Sequence, residues 1–154
     1  MSAQYNSKHG IVSRPQTDLY MTFTDLRNFG SMIPHNEQAD VQADFDTLRA
    51  TVHGFTIGVR VTDRHPYDRI VVEDIDAPFH FMVIFRFEEV AGQSGQTDFS
   101  IEVEADLNLM MKMALGKKLQ EGLDKMVDAL VAISEGRMPE GVDPEMFKNG
   151  NSGF

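Results

Sequence analysis

Cysteine is absent from the 154 residues, which excludes disulfides, thiolate metal sites and a cysteine nucleophile. Basic residues are scarce: 14 Lys and Arg stand against 24 Asp and Glu, a formal charge of -10. Nucleic-acid backbones and anionic membrane surfaces are gripped by clustered Lys and Arg, so neither is an expected partner. No apolar run approaches the roughly 20 residues of a membrane-spanning helix. The opening stretch from Met1 to Arg14 has no apolar core of signal-peptide length. The expectation is a cytoplasmic protein without stable membrane insertion. Metal and cofactor motifs are missing too. His53, His65 and His80 have no ligand spacing, and no His-Glu-x-x-His occurs. Asp18 to Asp25 does not follow a calcium loop. Gly92 to Gly95 lacks the lysine and following helix of a phosphate cradle, and there is no nucleophile elbow around a serine. Neither a metal nor a cofactor is expected.

What is present suffices for one packed domain, with 42% hydrophobic residues over a length that can bury a core. The organising stretch is the long apolar run from Leu107 to Ile133. Leu109, Met113, Gly116, Leu119, Leu123, Met126, Leu130 and Ile133 recur three or four apart and predict one face of a long helix. Met110, Ala114 and Val127 widen it. Asn108 is the expected N-cap and Gly136 the expected stop. Gly116 and Gly122 lower helix propensity, by roughly 1 kcal/mol each relative to Ala. Close approach to a sheet, room for a cavity, or simple solvent exposure would each account for them.

The segments before this helix read as strands. Tyr5 to Arg14 alternates, with Tyr5, Ser7, His9 and Ile11 on the face expected to point inward. Asp18 to Phe29 has helical spacing at Leu19, Phe23, Leu26 and Phe29, with Gly30 as a break and Pro34 as a stop. Asn36 to Gln42 reads as a loop. Ala43 to His53, closed by Gly54, then Thr56 to Asp63, Arg69 to Ile75, Phe79 to Val90 and Thr97 to Leu107 read as strands. Ala91 to Gln96 reads as the polar loop of a hairpin. Phe81, Val83, Phe85 and Phe87 alternate strictly, as do Phe99, Ile101, Val103, Ala105 and Leu107, with Ser100, Glu102, Glu104 and Asp106 facing water. Short turns between strands imply an antiparallel meander covered on one face by the helices. The fold class is α+β. The domain is expected over 4–136, and 137–154 reads as an irregular or disordered tail in which Met146 and Phe147 are candidates for docking on the body.

This order of elements, with Arg14-Pro15-Gln16-Thr17-Asp18-Leu19-Tyr20 after strand one, Thr24-Asp25-Leu26-Arg27-Asn28-Phe29 leading to Met32-Ile33-Pro34, and the Met-rich final helix, resembles the START-like or SRPBCC superfamily. That superfamily has the helix-grip fold and includes plant allergens, polyketide cyclases and lipid-transfer START domains. The likeness covers Gln4 to Glu135, and more narrowly the segment resembles small bacterial members. It implies a curved antiparallel sheet around the long helix, two short helices after strand one, and an apolar cavity between sheet and helix. It carries no shared catalytic motif.

Candidate ligand-binding residues are then His9, Tyr20, Phe23, Val59, Asp74, Phe81, Val83, Phe85, Phe99, Ile101, Met113, Leu119 and Leu123. The phenylalanine stripe and the methionines serve equally well as solid core. Asp74 shares a face with Ile70 and Val72, and in an apolar cavity its carboxyl would have a raised pKa and could pair with His9 for proton transfer. Its acidic neighbours Glu73 and Asp76 suggest instead a solvated turn. Catalytic residues are not assignable. Tyr20 is placed at the cavity mouth. Val71, Ile75, Met82 and Ile84 fall on the outer face, a surface suited to a homodimer or to the tail. Three functions remain open: binding or transport of a hydrophobic small molecule (a lipid or polyketide-like compound), a cyclase or dehydratase, and a co-chaperone-like interaction module.

Overall fold

The structure, a computed structural model, describes residues 2–32, 39–52 and 55–136. Expectations about Ile33, Pro34, His53, Gly54 and the tail 137–154 fall outside these residues. The described chain runs β1 (Ser2–Asn6), β2 (Gly10–Val12), α1 (Gln16–Phe23), α2 (Arg27–Met32), β3 (Ala39–Ala43), β4 (Thr47–Val52), β5 (Phe55–His65), β6 (Arg69–Asp76), β7 (Phe81–Val90), β8 (Gln93–Asp106) and α3 (Leu109–Ser134). The strands form one antiparallel sheet ordered β1-β8-β7-β6-β5-β4-β3, with β2 also on β8. Bulges in the β5–β6 pairing help to curve it. The result is the expected helix-grip α+β architecture, with both short helices in place.

β7 and β8 pair in the register their alternation requires. Phe81, Val83, Phe85 and Phe87 lie opposite Ala105, Val103, Ile101 and Phe99 on the inner face. The hairpin between them is tighter than the six-residue loop read from sequence. Only Ala91 and Gly92 make the turn, and Gly92 adopts φ +74°, which a side chain would resist. Three other expectations also need correction. Ala39–Ala43 is an edge strand rather than loop, Gly30 lies inside α2, and the helical break falls at Thr24 to Leu26. There the Asp25 carboxylate accepts from the Arg27 N–H at 3.0 Å and the Asp25 carbonyl from the Asn28 N–H at 3.1 Å, which starts α2.

Strand one is two strands. From Asn6 to Gly10 the chain advances four residues, while the partners Glu102 and Phe99 are three apart. The extra residue sits in a bulge around Ser7, which is buried. Its Oγ accepts from the Ile101 N–H at 2.8 Å and donates to the Lys8 carbonyl at 2.8 Å. The bulge reverses the parity of the strand. Tyr5 stays on the inner face opposite Val103, Gly10 and Val12 replace His9 and Ile11 there, and Ile11 is exposed.

α3 begins and ends where the sequence places it. The Asn108 side chain accepts from the Met111 N–H at 2.9 Å, and Gly136 takes φ +77° just past the end. Its rotational phase differs from the expectation. Leu123, Val127 and Leu130 are buried, Met111, Leu115, Leu119 and Val131 are half-buried, and Leu109, Met110, Met113 and Met126 are exposed. Among the described residues no helix is long and apolar enough to cross a membrane. A Cβ built on Gly122 meets nothing within 4 Å. Gly122→Ala is therefore expected to raise stability by about 0.5–1 kcal/mol, by removing a helix-interior glycine at no steric cost. Urea unfolding followed by circular dichroism measures it. A destabilised variant would mean that the position is packed in solution.

On the outer face Val71 is buried and Met82 and Ile84 are half-buried within the chain itself, beside the Arg86–Glu102 ion pair at 2.7 Å. Of the four outer residues only Ile75 is exposed. That is little apolar surface against the roughly 800 Å² per partner of a stable interface.

Candidate functional site

The two ends of the sheet are finished differently. At the end of the β7–β8 turn the inner face is filled. α1 lays Leu19, Tyr20 and Phe23 onto it, and the Phe23 ring sits 5.1–5.4 Å from the rings of Phe29, Phe85, Phe87 and Phe99. The C-terminal half of α3 closes the same end over β2. A Cβ on Gly10 would stand 2.6 Å from Val127 Cγ1 and 2.7 Å from Val131 Cγ2, so helix and strand approach as closely as glycine allows.

At the opposite end, that of the β6–β7 turn, the first turns of α3 stand over a cleft. It has a volume of about 380 Å³ and is lined by Ala77, Pro78, Phe79, His80, Asp106, Asn108 and Met111. The strand order explains why these residues meet. β8 ends at Asp106 beside the β6–β7 turn, and α3 starts after two intervening residues, Leu107 and Asn108. The Asp106 N–H donates to the His80 carbonyl at 2.8 Å, tying the turn to the strand end. The Phe79 and Phe81 rings, 5.9 Å apart, carry an apolar surface from the cleft onto the inner face, where Phe81, Val83, Val59 and Leu119 are only half-buried. Gly116 faces this side. A Cβ there would lie 3.0 Å from Tyr5 Oη.

Beside the cleft, Asp74 is paired with a histidine, though not with His9. Its side chain is 11% exposed. Oδ1 accepts from the Phe81 N–H at 2.7 Å, and Oδ2 lies 3.0 Å from His80 Nδ1. Burial by itself pushes this carboxyl up. The Phe81 N–H and His80 more than offset that, and its pKa lies below the ordinary carboxylate range. Asp74 thus does not have the raised value that an apolar cavity alone would give it, because the Phe81 N–H and His80 both favour its ionised form.

The predicted residues divide accordingly. Phe81, Val83, Val59, Asp74 and Leu119 belong to the open end. Phe23, Phe85, Phe99, Ile101 and Leu123 are buried in the filled core. Tyr20 is buried at the closed end with its ring 5.2 Å from that of Tyr67, away from the cleft mouth. His9 lies outside the cavity, its side chain 65% exposed and its Nδ1 2.8 Å from Asp98 Oδ1. Met113 points to solvent, 78% exposed. Of the residues that line the cleft, the sequence reading picks out Met111 only as one of the methionines, and does not pick out Phe79 or His80 as ligand-binding. The available signal was the short β6–β7 turn, because a hairpin brings residues six apart across its mouth together. Among the described residues no group of three or more His, Asp or Glu is arranged to hold a metal ion.

No family model matches the sequence, and no curated protein matches it. Solved structures do. Norcoclaurine synthase from Thalictrum flavum, in complex with a transition-state analogue, superimposes with a TM-score of 0.66 at 12% identity, covering 88% of this chain and 96% of that one. A Thermobifida fusca protein solved by NMR gives 0.64 at 12% identity, covering 86% and 93%. A Bacillus thuringiensis protein gives 0.61 at 10% identity, covering 86% and 99%. At these identities the likeness is one of fold.

Proposed function

We propose that this chain, which has the helix-grip fold of the START-like or SRPBCC superfamily, binds an uncharged hydrophobic small molecule in the cleft between the β6–β7 turn and the first turns of α3. The observation that carries this reading is the cleft itself. Its volume of about 380 Å³ exceeds the roughly 300 Å³ at which pockets begin to hold drug-sized ligands. Its walls set the apolar Phe79, Pro78 and Met111 beside the polar His80, Asp106 and Asn108, so it offers both contact surface and hydrogen-bonding groups. Met111 is unbranched and adapts to ligands of varied shape. The half-buried Phe81, Val83 and Leu119 beyond it are apolar surface that a ligand would remove from water. A norcoclaurine synthase of the same fold has been solved with dopamine and hydroxybenzaldehyde, so at least one protein built this way takes small aromatic molecules. Lipids and polyketide-like compounds both fit this description of a ligand.

Met111→Glu tests the reading. Met111 is only half-buried, so the variant should fold, while its carboxylate places a charge on the apolar wall. Titration with 2-methoxynaphthalene, followed by calorimetry, is expected to show saturable binding to the wild type and a loss of about tenfold or more in the variant, since an unpaired charge in an apolar site costs well over 1.4 kcal/mol. Equal binding by both proteins, or none by the wild type, would remove the cleft as the site.

A further inference from the structure

We propose that His80, oriented by Asp74, is the polar end of this cleft and accepts a hydrogen bond at Nε2 from a hydroxyl of the ligand. The site would then select phenols, enols or alcohols over ethers and carboxylates built on the same skeleton. The inference rests on the cleft being the binding site.

The argument follows the protons. An ionised carboxylate only accepts hydrogen bonds. Asp74 Oδ1 is occupied by the Phe81 N–H, and Oδ2 meets His80 Nδ1 at 3.0 Å. The hydrogen in that contact therefore belongs to Nδ1. In a neutral imidazole Nε2 is then the bare nitrogen, an acceptor without a donor's hydrogen. Asp74 is itself fixed by the Phe81 backbone, so it holds the ring's tautomer and direction, as a carboxylate behind a metal-bound histidine does. The His80 side chain is 88% exposed, lines the cleft, and has no other ring partner among the described hydrogen bonds. A ligand hydroxyl would replace water there. A ligand carboxylate only accepts hydrogen bonds, so it has no hydrogen to offer a bare Nε2 and would give up its hydration at the apolar wall, whereas a hydroxyl donates.

Three probes with one ring system separate the possibilities near neutral pH: 2-naphthol, 2-methoxynaphthalene and 2-naphthoate. The wild type is expected to bind 2-naphthol about three- to tenfold more tightly than the ether, the range of one net hydrogen bond, and to bind 2-naphthoate more weakly than either. His80→Ala, at an exposed position, should fold normally and bind naphthol and ether with equal affinity, whatever the lost imidazole surface does to both. Asp74→Asn offers an amide in place of a pure acceptor and should reduce that preference. Nitrogen-15 NMR of the imidazole supplies a readout that a structural role would not move: Nδ1 protonated, Nε2 bare, and the Nε2 resonance shifting with 2-naphthol but not with the ether. Equal affinities for naphthol and ether, or a preference that survives His80→Ala, would overturn the His80 assignment while leaving the cleft reading intact. Failure of all three probes to bind would overturn both.

Discussion

Phe23→Ala is expected to lower the unfolding free energy by about 3–5 kcal/mol, the usual cost of removing a buried phenylalanine. Phe23 is the ring on which the filled end of the sheet converges. Four others, Phe29, Phe85, Phe87 and Phe99, have centroids 5.1–5.4 Å from it. Phe87 and Phe99 are fully buried and stack on each other at 5.7 Å, so they have little freedom to move into a vacated space. The loss thus includes the transferred surface, the cavity left behind and the edge-to-face and tilted ring contacts. Thermal unfolding should show a midpoint lower by roughly 10 °C for a domain of this size. A loss below about 1 kcal/mol would mean that the cluster collapses onto the gap, against the ordinary behaviour of close-packed cores. The ring matters to the architecture because α1 fills one end of the inner face with Leu19, Tyr20 and Phe23.

Much of the fold was legible because β7, β8 and α3 carry strong periodic signals. Phe81 to Phe87 and Phe99 to Leu107 alternate without a break, and Asn108 and Gly136 mark the limits of the helix by capping chemistry alone. The phase of α3 was harder to read. Its first two turns carry Leu109, Met110, Met111, Met113, Ala114 and Leu115, apolar almost all round, so no single face is preferred there. Only from Leu119 to Val131 does one stripe dominate, and the expected and observed faces share Leu119, Leu123, Val127 and Leu130 in that part. The side assigned to Met113 was therefore wrong and the side assigned to Leu123 right. His9 was misplaced for another reason. One additional residue at Ser7 reverses every side chain beyond it, and hydrophobic alternation in a three-residue strand is too short to reveal the slip. β3 was missed because its alternation, Ala39, Val41 and Ala43 against Asp40 and Gln42, is short and built on small side chains. The lining of the cleft was the least legible part. Its polar members depend on which residues a turn brings together, and periodicity does not encode that.

Gly10→Ala is the sharpest test of how the helix is held. The new methyl would lie 2.6 Å from Val127 Cγ1 and 2.7 Å from Val131 Cγ2, well inside any real carbon–carbon contact. Neither neighbour is the end of a flexible chain. Both are β-branched, with χ1 nearly fixed in a helix, and Val127 is fully buried. The strand cannot retreat easily either, because β2 is paired to β8 from Gly10 to Val12, opposite Phe99 to Thr97. The remaining adjustment is for the C-terminal half of α3 to lift from β2. Overpacking of this kind costs about 1–3 kcal/mol, which should lower the thermal midpoint by roughly 3–10 °C. If the helix lifts as one rod, its N-terminal turns tilt over the cleft as well, and affinity for 2-methoxynaphthalene should change together with stability although Gly10 does not line the cleft. If stability falls while affinity stays constant, the two halves of α3 move independently, and the cleft is held by the Asn108 cap and the β8 junction alone. A variant as stable as the wild type would contradict the close approach of α3 to β2, on which the filled end depends.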